Sequence, residues 1–568
     1  MRRILVCIAA WTSVHGVAVA DDQAILQEQL EQDVLLRAMV DELDRSAADL
    51  KLEDLARPYF MEYALTDATA GSFAATLGSV TNRSITPYRR LRTTVRVGSY
   101  KLDNTNFRGG GFGGFAFSGS RGRGALIPLE NDYHAIRQAL WWAADREYKK
   151  VVETLAEKKA FMENKIIEDK PDDFSHEPPV VYFEPLNDMS IDAAGLENTA
   201  ITLSRIFREF SDIKDSGVTV IGATGNQYLI NTEGTRIRNT GSRYSISVYA
   251  TVQADDGMEL SDSVSVTVGE KAHLPSIEEL AADCRTMAQG LVALKAAPRL
   301  EDYTGPVLFD ASAAAGIVGR LLAFQFVGGQ RDVGSRTRPD DLAKQLGKRI
   351  LPRFINILDD PTLETFGDTP LLGNYRYDGQ GVEAQAISLV EDGRLKRLLM
   401  SRNPSKEFSR STGHGRGTWN PTATISSFIM TADPGEDDEA LVQALLEACE
   451  DEDLEFGIRV ASLGSVGGGG SGRSGGGRAP LAVYKVFPDG REELVRGAEL
   501  ARIDMKTFKR ILAAGDTPHV LNLGRSVGQT VIVPALLFEE LDLGAIDRDF
   551  DKPPILPAPV SRIPTPTD

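Results

Sequence analysis

Residues 227–268 read QYLINTEGTRIRNTGSRYSISVYATVQADDGMELSDSVSVTV. Within this stretch Tyr244, Ile246, Val248 and Ala250 alternate with polar neighbours. That period of two belongs to a strand in a sheet with one wet face. Turn chemistry punctuates the run at Asn231-Thr232-Glu233-Gly234 and Asp255-Asp256-Gly257, as short antiparallel connections require. With the preceding apolar run, five strands are expected, over 218–223, 227–231, 236–240, 243–253 and 261–268.

Outward from this block the pattern changes. Upstream, Leu26, Leu30, Val34, Val40 and Leu43 recur at helical spacing, which predicts a helix over 22–55 that Pro58 ends. Strands rich in Thr, Val and aromatics are expected over 59–65, 72–79 and 91–100. Residues 104–124 form a Gly-rich, Phe-spotted tract without the Lys-Ser/Thr that a phosphate cradle needs, so a surface loop is expected. Helices are expected over 134–165, 192–210 and 275–296.

Downstream of a joint at 299–304, the pattern predicts a strand over 306–309 and a small-residue helix over 312–324. Two hairpins turn at Asp392-Gly393 and Asp489-Gly490, pairing 382–390 with 394–400 and 481–487 with 492–495. A helix is expected over 437–449. The Gly/Ser/Arg tract 464–478 cannot pack a core and is expected to be a loop. Strands and helices do not alternate strictly, which excludes a regular parallel α/β sheet. The fold class is therefore α+β. A mixed helix/antiparallel-sheet domain is expected over 21–300, a sheet-dominated domain over 301–550 and a proline-rich tail over 551–568.

The first twenty residues have the layout of a secretory signal. Arg2 and Arg3 precede a short apolar run, and Ala18-Val19-Ala20 is a small-x-small cleavage site. Export to the periplasm or the extracellular space is expected, with no membrane span after cleavage. The formal charge is −18, and it becomes more negative once Arg2 and Arg3 leave. Such a surface repels nucleic acid, and basic pairs such as Arg89-Arg90 are too few to change that. Cys284 and Cys449 fall in helical stretches, where two buried thiols or one disulfide are the alternatives.

Several segments, in order, resemble the TldD/PmbA family. They are Leu229 to Gly234 with the two strands after it, Gly305 to Asp310 with its helix, and Asp378-Gly379-Gln380-Gly381-Val382 with the Val390 to Lys396 hairpin. Ser411-Thr412-Gly413 and Val527-Gly528-Gln529 through Leu537 follow. In the TldD branch, the resemblance implies, the helix after the Val-Leu strand carries His-Glu-x-x-x-His, and its imidazoles hold a divalent metal that activates water. Here that helix reads Ala315-Gly316-Ile317-Val318-Gly319-Arg320-Leu321-Leu322-Ala323-Phe324. It offers no lone pair to a cation, so no metal or other cofactor is expected. The chain is thus similar to the metal-less PmbA (TldE) branch. The resemblance then implies a dimer, with itself or with a TldD-type subunit, that holds unfolded peptide as an added strand.

Other catalytic groups are sparse. The histidines beyond the leader are His134, His176, His273, His414 and His519. His414 is the one catalytic candidate, because glycines on both sides allow close approach to a ligand; the alternative is a flexible turn at the Ser-Thr-Gly position. No nucleophile elbow surrounds Ser411 or Ser426. Acidic pairs such as Asp359-Asp360 look like solvated charge at helix ends. A hydrolase with relocated catalytic residues and a non-catalytic peptide- or protein-binding module stand as alternatives to the complex subunit.

Overall fold

The computed structural model describes residues 23–108, 127–163, 170–335, 342–417, 419–464, 480–500, 503–524, 527–546, 550–556 and 558–559. The expected leader, most of the Gly-rich tract at 104–124, nearly all of the 464–478 tract and the end of the tail lie outside the described residues.

Two sheets carry the chain. The first contains β1 (Pro58–Thr76), β2 (Ser79–Val97), β3 (Val181–Phe183), β4 (Ile213–Asn231), β5 (Arg236–Gln253) and β6 (Glu259–Val268). Its order is β2-β1-β4-β5, with β6 antiparallel along one part of β5 and the short β3 parallel along another. Three strands expected between 59 and 100 are in fact two of 19 residues each. Their tight turn is Leu77-Gly78, where both residues have positive φ, 48° and 77°. The run from Ser79 to Pro87 is exposed throughout, so it carries no apolar alternation to betray it. The five strands expected downstream are likewise three. Gly225 falls between two of them without ending β4, because a Cβ there would strike the carbonyl oxygen of Asp67 on β1.

Four helices cover this sheet: α1 (Val34–Asp49), α2 (Tyr133–Glu163), α3 (Ala193–Arg205) and α4 (Ile277–Ala296). All pack on one face. Val218, Val220, Tyr228 and Ile230 of β4 share one parity, as do Met61, Tyr63, Leu65, Phe73 and Ala75 of β1, and all are in the core. The helix expected over 22–55 breaks at Asp33. Its carboxylate caps Leu36 N at 3.0 Å, takes Tyr228 Oη at 2.9 Å and pairs with Arg238 Nη1 at 2.9 Å. A side chain so engaged leaves its own backbone extended. The opposite face is wet at one end, with Ile221 and Tyr249 exposed, and covered at the other, where Phe60, Leu229 and Ile237 are buried.

The second sheet is mixed. It contains β7 (Tyr303–Phe309), β8 (Ile355–Asp359), β9 (Ile387–Glu391), β10 (Arg394–Leu395), β11 (Ser427–Ala432), β12 (Gly457–Leu463), β13 (Pro480–Val486), β14 (Glu492–Val495), β15 (Ala498–Leu500), β16 (Ile511–Gly524) and β17 (Gly528–Ala545). The order is β10-β9-β8-β11-β17-β7-β12-β13-β14, and β15 and β16 also pair with β17. Most pairs are antiparallel, but β11–β17 and β7–β12 are parallel. The short helix α5 (Ala311–Ile317) packs with Val307 and Phe309, whereas α6 (Asp438–Asp451) packs on Leu308 and Leu537. Alternation along β7 thus places the two helices on opposite faces. The helix expected over 312–324 is α-helical only to Ile317, then makes a π turn at Val318–Leu322 and a 3-10 turn at Ala323–Gln325. The hairpin at Asp392-Gly393 is present, but its arms pair only over a few residues.

Cys284 lies in the core under the first sheet and Cys449 in the core under the second. Both thiols are free, so the alternative of a disulfide is not realised. Burial pushes each thiol up to about 11, where little reactive thiolate exists near neutral pH. The native chain is therefore expected to leave both cysteines unlabelled by iodoacetamide, and the denatured chain to label both without reductant. Mass spectrometry reads the difference; a linked pair in the denatured, unreduced chain would contradict it.

Candidate functional site

The segments singled out by their Gly-bearing motifs come together where the two sheets meet. In the turn Asn231-Thr232-Glu233-Gly234, Asn231 Oδ1 accepts the N–H groups of Glu233 and Thr235 at 3.0 and 3.1 Å, and Thr232 Oγ1 accepts Met61 N at 3.0 Å. The turn is thereby rigid, and Glu233 projects from it towards the C-terminal half.

Arg402 meets it there. Its Nη1 and Nη2 donate to the two Glu233 oxygens at 2.6 and 2.7 Å, while Nε and Nη2 donate to the Ser175 carbonyl at 3.2 and 2.5 Å. The guanidinium lies 3.8 Å from the centroid of Phe174 and 5.4 Å from that of Phe60. Arg402 is 1% exposed. A fork donating to both oxygens of a carboxylate, against an aromatic face, is arginine chemistry that lysine cannot copy. A second arginine crosses the same boundary: Arg92 Nη2 donates to Glu62 Oε1 at 2.8 Å and to Gly379 O at 3.0 Å.

Beside this boundary lies a buried polar cluster. Asp378 Oδ1 accepts Gln380 N and Val382 N at 2.8 and 3.0 Å, and Oδ2 accepts Gly415 N at 2.7 Å. The Ser-Thr-Gly segment is knotted around it. Ser411 Oγ donates to Met400 O at 3.1 Å, and Gly413 takes φ of +73° with its Cα packed against the Glu383 carbonyl, where no Cβ fits. His414 is fully buried. Its Nδ1 sits 2.8 Å from Thr412 O, and its Nε2 3.2 Å from Asp359 Oδ1. Ser426 donates to the same Asp359 through both its amide and its hydroxyl. The segment is therefore a packed joint, not the flexible turn considered from sequence. Asp359 is a fully buried strand residue, which corrects its reading as solvated charge.

The remaining histidines are dispersed over the surface. His134 stacks edge-on against Tyr133 at the start of α2, His273 follows β6, and His519 lies on β16. His176 lies face to face with Tyr100, ring centroids 3.5 Å apart. After Asp310, which pairs with Arg459, residues 311–322 carry only Ala, Ser, Gly, Ile, Val, Leu and Arg320. Gly319 packs against Val531, and Gly316 against Leu463. Among the described residues, no group of three or more His, Cys, Asp or Glu side chains is placed to hold a metal ion.

Two family models match this chain: the PmbA/TldA metallopeptidase central domain over residues 184–297 and its C-terminal domain over residues 302–545. The chain belongs to the PmbA/TldD family. Curated members of that kind include a metalloprotease of Archaeoglobus fulgidus, 28% identical over 191 residues, which are 33% of this chain and 38% of that protein. A metalloprotease of Methanocaldococcus jannaschii is 24% identical over 226 residues, 39% of this chain and 47% of the relative. The match thus spans less than half the length of either. Among solved structures, TldE from Thermococcus kodakarensis superposes with a TM-score of 0.57 at 13% identity, over 89% of this chain and 100% of that one. A Thermotoga maritima protein named as a candidate modulator of a DNA gyrase gives the same figures. This likeness shows the PmbA/TldD fold, with its helices, antiparallel N-terminal sheet and mixed C-terminal sheet.

Sequence reading nominated the turn at 231–234, the 378–382 segment and the Ser-Thr-Gly segment, and the structure brings all three to one boundary. It missed Arg402, Arg92, Glu62 and Asp359. Arg402 lies in a loop and Asp359 at a strand end, where charge reads as solvated, and only their partners in the fold reveal their burial.

Two measurements test this geometry. Arg402→Ala leaves Glu233 with its main partner gone and is expected to cost about 3–5 kcal/mol in denaturant unfolding; Arg402→Lys should recover only part of it. Asp378 supplies the pH test. Burial pushes its carboxyl up to about 6 against the pull of three backbone N–H groups. Between about pH 4 and pH 6 the folded chain keeps a proton that the unfolded chain has released. This contribution favours folding at low pH and is lost as pH rises through 6. The stability of the parent minus that of Asp378→Asn should therefore fall over that window, by up to about 3 kcal/mol. A difference independent of pH would remove the assignment.

Proposed function

We propose that this chain is the metal-less subunit of an exported proteolytic complex acting on unfolded peptide. It pairs with itself or with a TldD-type subunit that carries the metal, and it helps to hold the substrate as an extended strand. Backbone hydrogen bonding takes any sequence in extended form, so it selects unfolded over folded chains.

The observation that carries this reading is the segment 311–322. In a family whose curated relatives are metalloproteases, the helix after β7 presents alanine, glycine and branched aliphatic carbon to the core. Its donor set does not fit a divalent cation, which needs imidazole nitrogens or carboxylate oxygens. Arg320, the one charged side chain there, brings a like charge. The likeness to a solved TldE supports the same side of the family. The packed, fully bonded state of His414 supports a structural role for the Ser-Thr-Gly segment in holding the subunit together.

Purification from the native host tests the proposal. The chain should begin at Asp21, and it should bring down a relative bearing His-Glu-x-x-x-His or form a dimer. Cleavage of an unfolded polypeptide should follow the metal-bearing partner and cease with chelator. Stoichiometric zinc in the isolated chain, with chelator-sensitive cleavage by that chain alone, would falsify it.

A further inference from the structure

An open cleft of about 480 Å³ lies between the linker 172–178 and residues 409–410, within the roughly 300–1,000 Å³ of small-ligand sites. Phe174 and Pro178 supply its apolar wall. At its base is Glu177, whose side chain is 4% exposed. Glu177 Oε1 accepts Ser175 Oγ at 2.8 Å and Ser411 N at 2.9 Å, and Oε2 accepts Arg410 Nη2 at 2.8 Å. This carboxylate is fully committed, so it is not the group that meets a ligand. It acts as a post. Through one nitrogen it steadies Arg410, whose side chain is otherwise 66% exposed.

The remaining chemistry of the cleft is donor-rich. Arg410 keeps Nε and Nη1 without a protein acceptor among the described residues. His176 is held flat on Tyr100, and neither ring nitrogen is bonded to a described residue. The Ser409 hydroxyl stands at the rim. Two carboxylates share the lining: Glu177, which Arg410 neutralises, and Asp172, whose backbone carbonyl accepts Gln330 Nε2 at 2.6 Å. A guanidinium steadied at one corner, with Nε and Nη1 uncommitted in a cleft that an imidazole also lines, is matched by a planar carboxylate.

We propose that this cleft binds a carboxylate of a peptide, either the free C-terminus or an Asp or Glu side chain. The proposal deepens the reading of the chain as a peptide-holding subunit and rests on it for the choice of ligand. The cleft would then grip one end of a held or cut chain by its charge, while backbone pairing elsewhere ignores sequence.

Fluorescence anisotropy with the purified mature chain decides it, using three labelled Gly/Ala peptides. One has a free C-terminus, one is C-terminally amidated, and one is amidated with an internal Glu. Tighter binding of the free-ended peptide than of the plain amide, by about tenfold, assigns the C-terminus; recovery by the internal Glu assigns a side chain. Arg410→Ala should abolish either preference, and the exposed position makes its unfolding midpoint a fair control on folding. Equal binding of all three peptides, or an undiminished preference in Arg410→Ala, overturns the proposal. The readout needs no protease partner, so its failure leaves the co-purification result standing, and the reverse holds too.

Discussion

The contact of Arg402 with Glu233 is the most deeply engaged charge pair joining the two sheets. Taking two charges out of water is costly, and a buried pair returns that cost only when every donor and lone pair is engaged. Here the fork geometry, the Ser175 carbonyl and two phenyl faces do so. The pair joins three pieces of chain that are far apart in sequence: the turn closing β4 onto β5, the linker after α2, and the loop after the β9–β10 hairpin. Polar contacts of this kind, with Arg92 as a second, fix how the two sheets meet, beside the packing of Leu494, Ile546 and Phe550 on the first sheet's core.

The same logic explains the surrounding motifs. Asp378, Ser411 and Asn231 each satisfy backbone N–H groups inside irregular segments, where no ladder can do so. Glycine at 413 lets two of those segments touch. His414 fits this scheme as a bonding hub between Asp359 and the Thr412 backbone. Glycines flank it in the sequence, and in the fold these bonds hold its buried ring between the two segments.

How much of this was legible beforehand divides along a physical line. Features set by local chemistry were legible: the α+β class, the Asp-Gly turns, and the helices that bury a periodic apolar face, such as α4 with its Ser276–Glu279 capping box. Features set by distant partners were not. Asp33 interrupts a helix because Arg238 and Tyr228 await its carboxylate from another sheet strand. The outer half of β2 has no apolar alternation because it touches water on both faces. Asp359 beside Asp360 reads as a solvated pair, and nothing local says that one of them meets a buried imidazole. The family resemblance filled part of this gap by marking which irregular segments share a place, but it could not say which side chains cross between them.

The long outer strand β2 has one more consequence. Such a ribbon, with no strand on its outer rim among the described residues, is the shape that lets one chain recruit the next into insoluble stacks. Pro87 has no amide hydrogen to offer a further strand, and Arg90 is an exposed charge nearby, while Arg83 is tied to Glu197 of α3. A long stretch of open backbone can thus be carried at an edge without the chain polymerising through it.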